Sequence, residues 1–238
     1  MCSPHTIGRA KMSSESKRQE VFWNRRRGWR EIAEANFKRL VQEGRTVEAY
    51  CGLASALYSR RWPILFHGRL REAKKTARSA RSFANKEQKE LTANQLDVLS
   101  TILAAVPATD ADRKLAERLA RRGMKATGAV PHTRAFLRLT CAKIALAEGC
   151  WSDAVKLCGE VQELLPAVEE STKDKNHGQA LHNKRQQVRV LKQLAVLLVK
   201  LGDYGVPMGW SYLEQAEKLA RVVSKDQLKK IRWARRLL

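Results

Sequence analysis

Proline and glycine are scarce in this sequence: six prolines and thirteen glycines punctuate 238 residues. Aromatic residues amount to 6%, and β-branched residues never gather into alternating runs, so a sheet has no source. Ala, Leu, Arg and Lys fill the chain instead, and their side chains lose little rotamer freedom in a helix. Long apolar runs are missing as well. The longest, 188–201, carries Lys192 and Lys200 and is too short to span a bilayer, so no transmembrane segment is expected. The first 30 residues hold eight Lys and Arg and two Glu, without the apolar stretch of a signal peptide. Cys2, Cys51, Cys141, Cys150 and Cys158 form no CxxC, and their odd number argues against a disulfide framework. Cys51, Cys141 and Cys158 fall among apolar helical positions, where a free thiol behaves as a small hydrophobe. A reducing, cytoplasmic compartment is the expectation.

Recognisable catalytic patterns are lacking too. Neither GxxxxGK[ST] nor GxGxxG occurs. The histidines stand at 5, 67, 132, 177 and 182; His177 and His182 are five apart, which does not align two ligands on one helical face. Cys150 and Cys158 lie close to Asp153 without a histidine to serve as base. Glu169 and Glu170 have no third partner. The reading is of a non-enzymatic chain without metal or cofactor.

What is present is helical period. The chain is 44% hydrophobic, enough for a continuous core, and 14–238 reads as one helical-repeat domain behind a disordered stretch over 1–13. Ser16 with Gln19 opens a helix over 14–43 that carries Phe22, Trp29, Ala33, Phe37 and Leu40. Thr46 caps the next, with Tyr50, Leu53, Ala54 and Leu57 inward as far as Pro63. Over 69–84, Leu70, Ala73, Ala77, Ala80 and Ala84 form one stripe. Asn85 with Gln88 is expected to cap a helix running to Ala105. Thr109 with Asp112 opens another that stops near Gly123, with Leu115 and Leu119 inward. Pro131 begins a helix carrying Leu139, Ala142 and Leu146 to Gly149. Ser152 caps its partner, which Pro166 closes. Residues 168–180 are polar and without period, and predict a loop. Helices over 181–201 and 209–223 follow, and Ser224 with Gln227 starts a last helix or a kinked continuation.

Ala54, Val98 and Ala142 are equivalent positions 44 residues apart, and Ala195 follows after the polar loop. A period of this size means stacked helix pairs, none of which buries its apolar face alone. At 138–166 the pattern is more specific. Ala142 takes the small position of a first helix, Gly149 the turn, Trp151 the turn aromatic, Ala154 the small position of the second helix and Pro166 its end. Residues 191–216 repeat the beginning with Ala195, Gly202, Asp203 and Tyr204, then depart through Pro207 and Gly209. These segments resemble a tetratricopeptide repeat, while the earlier pairs match in period only. The resemblance implies an all-α chain of antiparallel helix pairs stacked as a right-handed superhelix. It also implies a scaffold that binds a protein or peptide in a groove held by the first helices, with the second helices outside.

Acidic residues are the remaining scarcity: 24 Asp and Glu face 46 Lys and Arg, a net charge of +22. Such an excess attracts nucleic acid, an anionic membrane surface or an acidic protein partner. It is also patterned. Arg71, Lys74, Arg78 and Arg81 step by three or four along one helix, Lys114, Arg118, Arg121 and Lys125 along another. Lys218, Arg221, Lys225, Lys229, Arg232 and Arg236 do so near the end. A merely solvated face would more often interleave Glu with Lys. Stacked in register, the three stripes would merge into one basic surface for a phosphate backbone. Arg25, Arg26 and Arg27 between Trp23 and Trp29 form a further cluster, and Trp233 among Lys and Arg resembles it. Arginine beside indole grips single-stranded nucleic acid; the plainer alternative puts Trp29 in the core and the arginines in water. Two functions therefore stay open, a scaffold for a protein or peptide partner and a binder of RNA or of nucleic acid without sequence preference.

Overall fold

A computed structural model describes residues 30–44, 46–59, 67–174, 176–202 and 205–238. Among them the chain is all-α: α1 (Arg30–Gly44), α2 (Val47–Ser59), α3 (His67–Lys86), α4 (Ala93–Leu103), α5 (Asp110–Lys125), α6 (Pro131–Ala147), α7 (Trp151–Glu170), α8 (His177–Lys200), α9 (Val206–Val223) and α10 (Lys225–Leu237). It divides into two compact units, residues 1–83 and 84–238.

In the first unit α1 packs on α2, which starts where Thr46 Oγ1 accepts the Ala49 amide at 3.2 Å. Leu53, Ala54 and Leu57 are buried as expected, Tyr50 and Phe37 half-buried, and Leu40 exposed. Gly52 lets α1 approach: a Cβ there would lie 2.6 Å from Phe37 Cζ. Arg69 at the start of α3 donates to Glu34 on α1 at 2.7 Å, and the Leu70–Ala73–Ala77–Ala80 stripe is buried.

The second unit consists of three successive pairs and a closing helix. α4 packs on α5, α6 on α7, and α8 on α9; in addition α4 meets α6, α6 meets α8, and α10 covers α8 and α9. α8 shows why no pair stands alone. Its Val190, Leu194 and Leu197 join a core with Ala135, Leu139 and Ala142 of α6 and Cys158 and Val161 of α7. Its other side, Val188, Leu191 and Ala195, joins Leu213, Ala216 and Ile231.

Several boundaries differ from expectation, each for a local reason. Asn85 is no cap, because α3 continues to Lys86; Gln88 then turns out at φ 50°, and α4 begins at Thr92. Thr92 forms a capping box with Gln95, satisfying both free amides. Thr109 caps α5 as predicted. Gly123 does not end that helix but sits inside it, where a Cβ would stand 2.9 Å from Leu137 Cδ1. Ser152 lies within the first turn of α7, whose N-cap is Cys150.

Pro166 does not close α7 either. The helix passes through it to Glu170 and ends in a 3₁₀ turn, Ser171–Lys173, so the loop expected over 168–180 shrinks to a few residues around Asp174 and Asn176. A proline forfeits one backbone bond, and here burial of Val168 and Thr172 holds the chain in place beyond it. Asn176 Oδ1 caps α8 by accepting the amides of Gly178 and Gln179. Ser224 is extended at φ −170°, which makes α10 a separate helix and not a kinked continuation.

Candidate binding surfaces

The predicted stripes survive unevenly. On α3, Arg71 and Arg78 are exposed and Arg81 half-buried, but Lys74 is buried. On α5, Lys114, Arg118, Arg121 and Lys125 are all exposed. Glu117 accepts from Arg121 at 2.8 Å, whereas no carboxylate among the described residues pairs with Lys114, Arg118 or Lys125. The third stripe is cut at Ser224, with Lys218 and Arg221 on α9 and Lys225, Lys229, Arg232 and Arg236 on α10. Packing of α10 on α9 brings two of its members to one carboxylate. Glu217 Oε1 meets Arg221 at 3.3 Å and Arg232 at 3.5 Å, and its Oε2 meets Arg235, outside the stripe, at 3.4 Å. Burial alone would raise the Glu217 pKa, but hydrogen bonds from Arg221 and Arg232 hold it below the ordinary value. Between α5 and α9 the remaining second helix, α7, carries Asp153, Glu160, Glu163, Glu169 and Glu170 against Lys156 alone. The second helices thus alternate basic, acidic, basic. Arg25, Arg26, Arg27 and Tyr204 lie outside the described residues.

The repeat-packing residues behave mostly as small contacts should. Ala54, Ala142, Ala154 and Ala195 are almost fully buried, and Gly149 and Gly202 adopt φ 78° and 88°. After Gly149 the Cys150 amide reaches back to Ala145 O at 2.8 Å, closing α6. Trp151, expected to pack in the turn, is 53% exposed.

A different surface stands out where the first helices of the second unit meet. α4 contributes Asn94, Asp97 and Thr101; α6 contributes His132, Phe136, Thr140 and Lys143; α8 contributes His182, Gln186, Arg189, Lys192 and Gln193. Thr133 donates to Asn94 at 2.7 Å, and the Thr101 and Thr140 hydroxyls pair at 3.3 Å. Lys143 donates to Gln193, and Arg189 lies over the Phe136 ring, 5.0 Å from its centroid. Burial pushes the Lys143 ammonium down to about 8, with Lys192 adding to the effect and Asp97 opposing it. Burial and Arg189 bring Lys192 to about 8 as well. Asp97 is raised to about 6 by burial, against the pull of Arg189, Thr101 and Lys143. His132 falls to about 4 through burial and the neighbouring His182, and its Nδ1 is buried with no hydrogen-bond partner among the described residues. Lys143, Arg189, Lys192 and Asp97 thus lie close together, the two ammonium groups largely out of water. Partly desolvated charge of this kind is costly to the fold and makes this face a candidate functional surface. These residues escape notice in the sequence because three helices supply them; the visible trace is polar residues at three- and four-residue steps, as in His182, Gln186, Arg189 and Gln193.

Among the described residues, no group of three or more His, Cys, Asp and Glu is placed to hold a metal ion. Burial raises the thiols of Cys51 to about 12 and of Cys141 and Cys158 to about 11, leaving Cys150 as the exposed one of the four described. No described helix is long and apolar enough to cross a membrane. No protein-family model matches the chain, and no characterised protein matches it significantly in sequence.

Proposed function

We propose that the chain is a non-enzymatic, tetratricopeptide-like helical-repeat scaffold whose first-helix face holds an acidic segment of a partner protein. The observation that carries this reading is the gathering of Lys143, Arg189 and Lys192 on that face, with Asp97 beside Lys143 and Asp226 beside Lys192 as the neighbouring carboxyls. The packing order supports it, since in the second unit α4 lies beside α6 and α6 beside α8. Three helix axes about 8–10 Å apart span roughly 20 Å, room for about six residues of extended chain. Carboxylates on such a segment would meet donors already stripped of much of their water, and Phe136 supplies an apolar floor under Arg189.

A fluorescein-labelled peptide of about six to eight residues, mixing Glu with Leu, tests the reading by anisotropy. Saturable binding is expected, weakened at least tenfold by Lys143→Glu together with Lys192→Glu and left unchanged by Arg118→Glu with Lys125→Glu. It should also weaken between about pH 7 and 9, as the two ammonium groups lose their protons. Absence of binding, or indifference to the first pair of reversals, overturns the proposal.

Polyanion binding by one surface across successive second helices has less support, because acidic α7 interrupts the series. Nucleic acid would instead meet separate basic patches.

A further inference from the structure

The most developed of these patches is the C-terminal helix pair. Residues 206–238 carry eight Lys and Arg against three Asp and Glu. Three of the cations are held in place: Arg221, Arg232 and Arg235 share Glu217, whose side chain is 12% exposed while theirs are 48–65% exposed. One carboxylate cannot neutralise three guanidinium groups, so their outward donors stay available with part of their rotamer freedom already lost. Arg235 is further fixed over the Trp210 ring at 5.7 Å.

Along α10, Lys225, Lys229, Arg232 and Arg236 recur at steps of three or four, all exposed. Lys225, Lys229 and Arg236 have no carboxylate partner among the described residues. The next position around the helix from this row is Trp233, with 58% of its surface in water. A single exposed tryptophan is ordinary on a protein surface, but here its indole stands at the edge of a row of cations, which puts a stacking face beside phosphate-binding charge.

We infer that α10, with Arg221 from α9, is a binding site for single-stranded nucleic acid. The cations track successive phosphates and the Trp233 indole stacks against a base. Every base offers a π-face, so such a platform works without sequence readout. An unpaired strand fits better than a duplex, whose bases are already stacked on one another. A bilayer fits less well, because the Asp226–Lys230 ion pair at 2.7 Å shares the flank of α10 with Trp233 and Leu237 and leaves no continuous apolar band. This site uses none of Lys143, Arg189 or Lys192 and stands independently of the peptide reading.

The test uses the full chain and a fluorescein-labelled oligouridylate of about 20 nucleotides, titrated at several salt concentrations. Trp233→Ala is expected to weaken binding about 5- to 10-fold, and Trp233→Phe to restore most of the loss. Lys229→Glu with Arg236→Glu should weaken it at least tenfold and lower the log–log salt slope by about 1.4, the share of two phosphate contacts. All three positions changed are exposed, and unchanged circular dichroism would verify folding. Lys143→Glu with Lys192→Glu should leave oligonucleotide binding as it was. Wild-type affinity in both the Trp233→Ala and the Lys229→Glu, Arg236→Glu proteins overturns the site. So does equal affinity of the unchanged protein for polyglutamate, for duplex RNA or for vesicles rich in anionic lipid.

Discussion

Lys143 is a residue at which fold and function pull apart. Its ammonium stands in a half-buried position among Lys192, Arg189 and Lys200, with Asp97 as counter-charge, and titrates near 8. An unfolded lysine titrates near ~10.4, so the unfolded state holds this proton more tightly. The group's contribution to stability is therefore present above the unfolded value and lost as pH falls through about 8. Asp97 runs the other way: its pKa is raised, so its contribution is present at acid pH and lost as pH rises through about 6. At neutral pH both groups are charged at the fold's expense. Lys143→Met should then raise stability by about 1–2 kcal/mol at pH 7 in urea denaturation, although it removes the hydrogen bond to Gln193. The gain should shrink toward zero near pH 10. An equal gain at both pH values would trace the effect to packing and remove the electrostatic reason for regarding this face as functional.

Between elements, glycine does three separate jobs, and substitution by alanine separates them. Gly209 sits where α9 crosses α8; a Cβ would stand 2.7 Å from Val199 Cγ2 and 2.9 Å from the Ala195 carbonyl oxygen, so Gly209→Ala must push the helices apart, at about 1–3 kcal/mol. Gly149 has open space around it but φ 78°, and its alanine pays only the left-handed penalty, about 1–2 kcal/mol. Gly159 has neither constraint inside α7, so Gly159→Ala should stabilise by about 0.5–1 kcal/mol. Thermal melts of the three variants check the order, and a stabilising Gly209→Ala would mean that α8 and α9 are not this close. Helix periods, the Thr46, Thr109 and Pro131 starts and the Gly149 and Gly202 stops were legible in the sequence, because each is set by residues within one turn of the boundary. Pro166 and residues 168–180 were not, since helix persists there through burial of Val168 and Thr172 against partners distant in sequence. For the same reason the three cations of the first-helix face, spread over α6 and α8, stayed hidden, while stripes confined to single helices were easy to see.

At the scale of the whole molecule the dominant fact is a charge of +22. Its distribution is uneven: residues 1–83 hold 19 of the Lys and Arg and only 7 of the Asp and Glu. Ion pairs such as Arg121–Glu117, Lys173–Glu170 and Lys230–Asp226 offset part of the repulsion, but they are largely exposed, and pairs of that kind contribute about 0–1 kcal/mol each. Salt screens both, with a Debye length that falls from ~30 Å at ~0.01 M to ~8 Å at physiological ionic strength. Close pairs lose little over that change, whereas repulsion summed over the molecule acts at longer range and loses most of its strength. The melting temperature should therefore rise as sodium chloride is increased. A polyanion such as oligouridylate should produce a similar rise at low salt, and its effect should fade as salt is added, because ligand stabilisation follows an affinity that salt removes. A melting temperature that falls with salt would mean that local ion pairs outweigh the net charge, and the excess of Lys and Arg would then be explained by folding without a polyanionic partner.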